Sequence, residues 1–437
     1  MPKFSTKWNI EWNEPITLPA LTQRMHEGGL GREDLVAVLT ERDKELVDEL
    51  CGPKYKPKKR SRYKRAGTKR RTLGTRLGLV EIRVHRVWDS KLKKTFYPIW
   101  RDIKIRSRKI YQDDVSALSE HSVVRMTYRN TREELSRVIN GFPSHHTINR
   151  RVIEDGNELV KEIHERELTA TTHQPDGTKL HSKRGGHHDV NIVLATSANR
   201  SPRLRSLTVG CKWKDHLPFF NNTKFQDEKG GLCPPTAVCD MEPGLAELMI
   251  QDGGYWQPCL VHVVRYTGFS LWRDDIDMDE RKGIVQTVSR ILSHLKNSLN
   301  CHLPKDEIDA VEHRIKQTVK EFKRLATRLN NDGMVKTAKF IRNISNSVTT
   351  FASLALQGIS VPWHNNLLER LMGEVSKRCK HKWMTWTTHG GQALLALLVT
   401  RTIEPDTYYD FFNRKLFDHL KDLPNLGISI TRLGTDF

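Results

Sequence analysis

No stretch of this 437-residue sequence stays apolar for long. The longest uninterrupted run, Ala393 to Val399, falls far short of the ~20 residues a membrane helix needs. That excludes a helical bilayer span and makes a soluble protein the expectation. The opening residues, Met1 to Trp8, lack the apolar centre of a secretion signal. Cysteine is scarce too: seven residues, an odd number without regular spacing, do not make a disulfide framework, and a reducing cytoplasm is expected. Acidic residues are in short supply. Asp plus Glu number 52 against 72 Lys plus Arg, a formal net charge of +20. An imbalance of that size calls for a polyanionic partner, DNA or RNA. An anionic membrane is the weaker fit, because no long basic amphipathic helix stands out. Hydrophobic residues make up 37%, low but sufficient over this length for several domains with their own cores.

The chain divides by pattern. Residues 1–53 are taken as an N-terminal helical segment, because Leu35, Val38, Leu39, Leu46, Val47 and Leu50 fall on one stripe that Gly52-Pro53 ends. Residues 54–110 read as a basic arm and β-hairpin. Between Lys54 and Arg71 stand Lys58, Lys59, Arg60, Arg62, Lys64, Arg65, Lys69, Arg70 and Arg71 without one acid. Such a block repels itself and stays extended until phosphates neutralise it. Leu79 to Trp88 alternates with period two, and Lys94 to Trp100 is its expected return strand. Residues 111–165 read as a helix-turn-helix domain. Thr131 is the expected cap of a helix with Leu135, Val138 and Ile139 inward. Asn140-Gly141-Phe142-Pro143 turns, and Ser144 caps a helix carrying His145, His146, Asn149, Arg150 and Arg151 outward.

From residue 166 the pattern changes to strands. Leu168–His173, His188–Ala198 and Leu204–Trp213 suggest an antiparallel meander. A helix near Thr223–Lys229, the strand Thr236–Cys239, a helix over Gly244–Ile250 and a strand Tyr255–Val264 complete the order β-β-β-α-β-α-β. That is the order of a ribonuclease-H-like fold, first part 166–267. Stripes such as Ile284, Val288, Ile291, Leu292, Leu295 and Leu299 mark 268–355 as a helical insertion. Residues 356–404 return to the core, and 405–437 form a tail. The fold class is thus mixed α/β: a ribonuclease-H-like core with an all-helical insertion, behind a basic hairpin and a helix-turn-helix.

Cutting or joining phosphodiesters needs an activated oxygen nucleophile and a stabilised leaving oxygen. Two divalent ions held by carboxylates supply both. Asp176 in a Pro-Asp-Gly-Thr-Lys turn, Asp240 at the end of a short apolar strand and Glu369 on a helix are the best-placed acids. Asp189 competes with Asp176, Glu242 with Asp240, and Glu374 with Glu369, although Glu374 lies about 140° around the helix from Glu369. Cys233, Cys239, Cys259 and His262 lack the spacing of a zinc finger, so Cys259 and His262 read as a structural pair on a strand near the centre. Lys212, Trp213, Lys382, Trp383, Trp386 and His389 are open to DNA contact or to core packing.

Asp176-Gly177-Thr178, then Asp240, then Cys259-x-x-His262, then Asn366-x-x-Glu369-Arg370 after a helical stretch, resemble the Mutator-like superfamily of DDE transposases. The chain is most similar to its archaeal and bacterial insertion-sequence members, over about residues 60–400. It departs in carrying Arg370 and Met372 where many relatives have a small polar residue and Asn. The resemblance implies Asp176, Asp240 and Glu369 as catalytic ligands of two Mg²⁺ or Mn²⁺ ions, and Cys259 and His262 as the superfamily's Cys-x-x-His pair. It also implies a transposase that binds terminal inverted repeats and target DNA as a homodimer or higher oligomer, in a prokaryotic, nucleoid-associated cytoplasmic setting. Arg370, Lys377 and Arg378 then read as phosphate contacts. A ribonuclease-H-like nuclease or resolvase, or a domesticated DNA-binding regulator, is the alternative.

Overall fold

The computed structural model of the chain describes residues 5–11, 16–58, 61–105, 109–197, 200–216, 222–242, 245, 253–381, 384–417 and 427–433. The fold is mixed α/β with open sheets and divides into two units, Met1–Glu154 with Asp406–Phe437, and Asp155–Pro405. No helix among the described residues is long and apolar enough to cross a membrane.

In the first unit, β1 (Ser5–Glu11) pairs antiparallel with the last described strand, Gly427–Leu433. The stripe expected over 32–51 forms the helix Arg32–Cys51, which ends where Gly52 takes φ 83°. Leu35, Val38 and Leu39 pack with Leu73, Val80, Ile82 and Val84 of the sheet beneath. That sheet corrects the expectation of a self-repelling extended arm. From Tyr63 the basic block is β2 (Tyr63–Thr75), paired along its length with β3 (Gly78–Asp89). The repulsion is overcome because β3 turns Val80, Ile82, Val84 and Val87 into the core. Two arginines are also neutralised: Arg62 grips Asp89 at 2.7 and 2.5 Å, and Arg65 pairs with Asp48. The return strand is shorter than expected, β4 (Lys94–Phe96), because Pro98 starts a one-turn helix.

Three helices follow, Asp113–Val123, Tyr128–Ser136 and His145–Glu165. Thr127, not Thr131, caps the second. Its backbone is extended and its Oγ1 accepts from Asn130 N–H at 3.2 Å, whereas Thr131 is buried a turn inside. Val138 is 77% exposed, because the helix has already ended, and Arg151 is buried against Glu154 at 3.0 Å rather than outward. Ser144 does cap the third helix, accepting from Thr147 N–H at 3.3 Å.

In the second unit, β5 (Leu168–Ala170) runs parallel to the later strand Thr223–Phe225, so the helix expected at 223–229 is instead an edge pairing. The expected meander is β6 (Thr172–His181), β7 (His187–Ser197) and β8 (Arg200–Val209), all antiparallel. With β9 as the Thr223–Phe225 strand, β10 (Thr236–Cys239) and β11 (Tyr255–Pro258) complete a sheet in the order β11-β10-β6-β7-β8. β10 is parallel to both of its neighbours. The helix expected over 244–250 lies outside the described residues apart from Leu245. β11 stops at Pro258 because its partner ends at Cys239, and the chain turns at once into the helix Leu260–Arg273. Cys259 and His262 therefore belong to a helix start and not to a strand.

The predicted stripes become the helices Met278–His302, Ile308–Asn331 and Val335–Ile344, sharing one core through Val288, Leu295, Phe322, Leu329 and Ile341. The helix Asn366–Cys379 then carries Glu369, and the buried helix Thr388–Ile403 lies against β8. Two devices fasten this unit. Arg205 on β8, fully buried, donates to the carbonyls of Arg166 and His164 at 2.7 and 2.6 Å, satisfying a helix C-terminus. Glu404 accepts from Arg166 at 2.6 and 2.9 Å and from Leu204 N–H at 2.5 Å, and it also pairs with Arg203.

Candidate active site

Asp176 sits inside β6, opposite Ile192, and not in a turn. β6 is paired with β7 from Thr172 to His181, which leaves Pro-Asp-Gly no freedom to fold back. Its other neighbour is β10, joined through the pair Ala237 and His173. In a parallel ladder, equal steps along both strands stay level. Asp176 is three residues past His173, and Asp240, the residue that follows β10, is three past Ala237, so the two lie at about one level of the sheet.

Burial, with Asp240, Glu369 and Glu242 nearby, raises the Asp176 carboxyl to about 7, against the pull of the Gly177 N–H that it accepts at 2.8 Å. Three acids from two distant parts of the sequence thus act on one. Glu369 enters from the first turn of its helix. Its Oε1 lies 3.5 Å from His262 Nε2 and its Oε2 3.6 Å from Arg265 Nη1. Glu369 Oε1 is buried and accepts no hydrogen bond, and His262 Nδ1 is equally unsatisfied. A buried carboxylate oxygen without a donor, beside an aspartate driven toward its neutral form by burial and then by like charge, is the state a divalent cation would relieve. Carboxylates are the ligand type that such an ion takes.

Among the described residues, Cys259, His262 and Glu369 bring one ligand atom each within 4.8 Å of one another. Cys233 and Cys239 stand outside that group. Burial pushes the Cys259 thiol up, partly opposed by the N–H groups of His262, Asn365 and Val261. Glu369 therefore belongs to two sets, one with the aspartates and one with the Cys-x-x-His pair.

Of the competing acids, Glu242 and Glu374 have partners of their own. Asp189 faces Lys179 across β6–β7 and lines a cleft of about 420 Å³ with Thr178, Asn191, Lys212 and Trp213. Glu242 also lines it, accepting from Trp213 Nε1 at 3.1 Å. Glu374 pairs with Lys377 at 2.7 Å. Arg378 is buried, with Nη1 3.9 Å from Met384 Sδ, so of the three cations expected to meet phosphate Arg370 keeps an exposed side chain without such a partner. Lys380 reaches back to Thr178 Oγ1, tying the Glu369 helix to β6. Trp386 is core: it is buried and donates to the Cys379 carbonyl at 3.0 Å. His389 is exposed, and Lys382 and Trp383 lie outside the described residues. Arg265 is the residue that sequence reasoning missed. Its signal was the i, i+3 spacing from His262, visible only if Cys259 is read as opening a helix.

The basic residues of the other unit divide in the same way. Lys58 donates to the Glu49 carbonyl at 2.6 Å, and Lys59 and Arg60 lie outside the described residues. Arg62 and Arg65 are held by Asp89 and Asp48, and Arg71 lies 5.6 Å over the Tyr97 ring. Lys64, Lys69 and Arg70 are exposed. Arg70 stands directly opposite Arg83 on β3, with Glu81 3.3 Å away, and Lys64 opposite Trp88. The His145 and His146 rings are 4.1 Å apart, and burial, His146, Arg129 and Arg132 lower the His145 pKa. Asn149 is half-buried, and Arg150 is 4.0 Å from Glu154 with its side chain 68% exposed. No protein-family model matches this sequence, and no curated protein matches it.

Proposed function

We propose that the protein is a DDE-type DNA transposase that binds the terminal inverted repeats of its element, cleaves there and joins the freed 3′-hydroxyl to target DNA. The observation that carries this reading is the level placement of Asp176 on β6 and Asp240 just past the end of the parallel strand β10, with Glu369 acting on Asp176 from a later helix. A sheet ordered with three antiparallel strands and two parallel ones, carrying acids at those positions, supports a ribonuclease-H-like core. Asp176, Asp240 and Glu369 would hold two Mg²⁺ or Mn²⁺ ions. Such ions supply an activated oxygen nucleophile and stabilise charge on the leaving oxygen.

The chain's own groups do the rest. Arg265, 3.6 Å from Glu369 and with its side chain 62% exposed, is placed to take a phosphate oxygen at the edge of the site. Lys380, bound to Thr178, fixes the distance between the Glu369 helix and the Asp176 strand. In the other unit, the outward face of β2–β3 with Lys64, Arg70 and Arg83, and the helix start with His146 and Arg150, are the surfaces for duplex DNA. Arg70 and Arg83, opposite one another with Glu81 3.3 Å from Arg70, keep a net positive charge that a phosphate would meet. Bringing two DNA ends together requires at least two copies of the chain.

A strand-transfer assay with pre-cut ends and Mg²⁺ or Mn²⁺ tests the proposal. Joined product that disappears in Asp240→Ala and Glu369→Gln is the expected result. Cutting without joining would make the protein a nuclease or resolvase. Binding alone would make it a regulator, and joining by Asp240→Ala would remove the site assignment.

A further inference from the structure

The helix Leu260–Arg273 begins beside the candidate site and buries one side, Leu260, Val263, Thr267, Ser270 and Leu271, in the second unit's core. Its other side is His262, Arg265, Tyr266, Phe269, Trp272 and Arg273. At 100° per residue these six fall within an arc of about 120°, so they form one continuous face. It holds three aromatics, two arginines and a histidine, and no acid.

These aromatics are not covered. Tyr266 is 37% exposed, Phe269 48% and Trp272 58%. They stand in a row, Tyr266 to Phe269 at 6.0 Å and Phe269 to Trp272 stacked at 5.7 Å, with the Arg273 guanidinium 6.0 Å from the Phe269 ring. The neighbouring helix Val335–Ile344 widens the surface. Phe340 lies 5.8 Å from Tyr266, and Lys336 and Lys339 are exposed. Of the two acids that follow, Asp274 is occupied in capping that helix, accepting from Lys336 and Thr337 N–H at 3.1 and 2.8 Å. Asp275 stands exposed at the far edge.

Three large aromatics in one exposed row mark a binding surface. The cations among them decide its occupant. A second protein copy would cover rings with apolar groups and would leave Arg273, Lys336 and Lys339 without counter-charges. A DNA duplex offers phosphates but hides its base faces. An unpaired DNA strand offers both, bases to stack on the rings and phosphates for the cations between them.

We infer that this face is a binding track for single-stranded DNA. From His262 to Trp272 it runs about 15 Å, at 1.5 Å per residue. His262 is 3.5 Å from Glu369, so the strand lying on the track is led to the carboxylates. This last step rests on the proposed function; the binding of the strand does not.

The test is equilibrium binding of the full chain to a labelled 20-nucleotide oligothymidylate and to a blunt duplex of the same length, both in EDTA. Phe269→Ala and Trp272→Ala are each expected to weaken single-strand binding at least fivefold, with duplex binding and melting temperature unchanged and Trp272→Phe restoring most of the affinity. Unchanged single-strand affinity, or an equal loss on the duplex, would overturn the inference. So would a change of assembly size in Trp272→Ala by sedimentation, which would make the face a contact between copies. Because metal is absent, failure of joining in the strand-transfer assay would strike the catalytic reading alone and leave a measured single-strand track standing.

Discussion

Asp176 and Asp240 each lie three residues beyond the pair His173 and Ala237 that joins β6 to β10, so two carboxylates face one another's charge at one level of the sheet. Burial first, and this like charge after it, raise Asp176 from its ordinary 3.8 to about 7. Between those values the folded chain holds a proton that the unfolded chain has released. The group's contribution to stability is therefore full below about pH 4 and is lost as pH rises through about 7. Thermal melts of the metal-free protein should fall between pH 5 and 8 more steeply than those of Asp176→Asn. Millimolar Mg²⁺ or Mn²⁺ should raise the wild-type melt most at the alkaline end, where no proton competes. Parallel pH curves for the two proteins would contradict this account.

Glu404 fixes the end of β8 through Arg166, Arg203 and the Leu204 N–H, with 2% of its side chain exposed. Removing one partner of a buried pair leaves the others uncompensated, at a cost of about 3–5 kcal/mol. Glu404→Ala should lower the unfolding free energy from urea titration by that amount, through a lower midpoint with the slope unchanged. The burial opposes ionisation, but Arg166 and its neighbours hold the Glu404 carboxyl below 4.5, so the pair stabilises above that pH and weakens as pH falls through the folded value. A change under 1 kcal/mol would show that the cluster is dispensable.

Gly156 lets the helices His145–Glu165 and Thr388–Ile403 touch backbone to backbone, and a Cβ there would run into the Ala393 carbonyl. Helix propensity alone predicts that Gly156→Ala stabilises by ~1 kcal/mol. The clash predicts destabilisation of about 1–3 kcal/mol. The sign of the change in denaturation midpoint decides, and a loss of stability is expected.

Arg62 and Lys64 are neighbours in sequence with different work to do. Arg62 holds Asp89, whose carboxyl it draws down to about 2, while Lys64 points outward beside Trp88. Lys64→Ala, Arg70→Ala and Arg83→Ala should each flatten the plot of log affinity for duplex DNA against log salt, by about 0.9 for each phosphate no longer neutralised. Arg62→Ala should lower stability and leave that slope nearly intact. Equal salt slopes for wild type and the three outward variants would remove the ribbon from the DNA interface.

Where a pattern is local and periodic, the sequence alone determined the structure. The helix over 32–51 and the stripes at 284–299 and 311–329 follow from burying one face of one element, while the apolar run Val190–Ala195 is a strand buried on both faces. Of the candidate site, the sequence offered three acids, whose charges meet at Asp176, inside a strand and not at its end. Tertiary structure decided what depends on a remote partner. Asp176 became a strand residue because β7 pairs with it throughout. Cys259 came to open a helix because β10 ends at Cys239 and leaves β11 nothing further to pair with. The basic block folded as a ribbon because Asp48 and Asp89 neutralise part of it, while an apolar face on β3 anchors the rest. Arg265 met Glu369 only once the chain had closed. Charge pairing and ladder register join residues far apart in sequence, and no local periodicity records them.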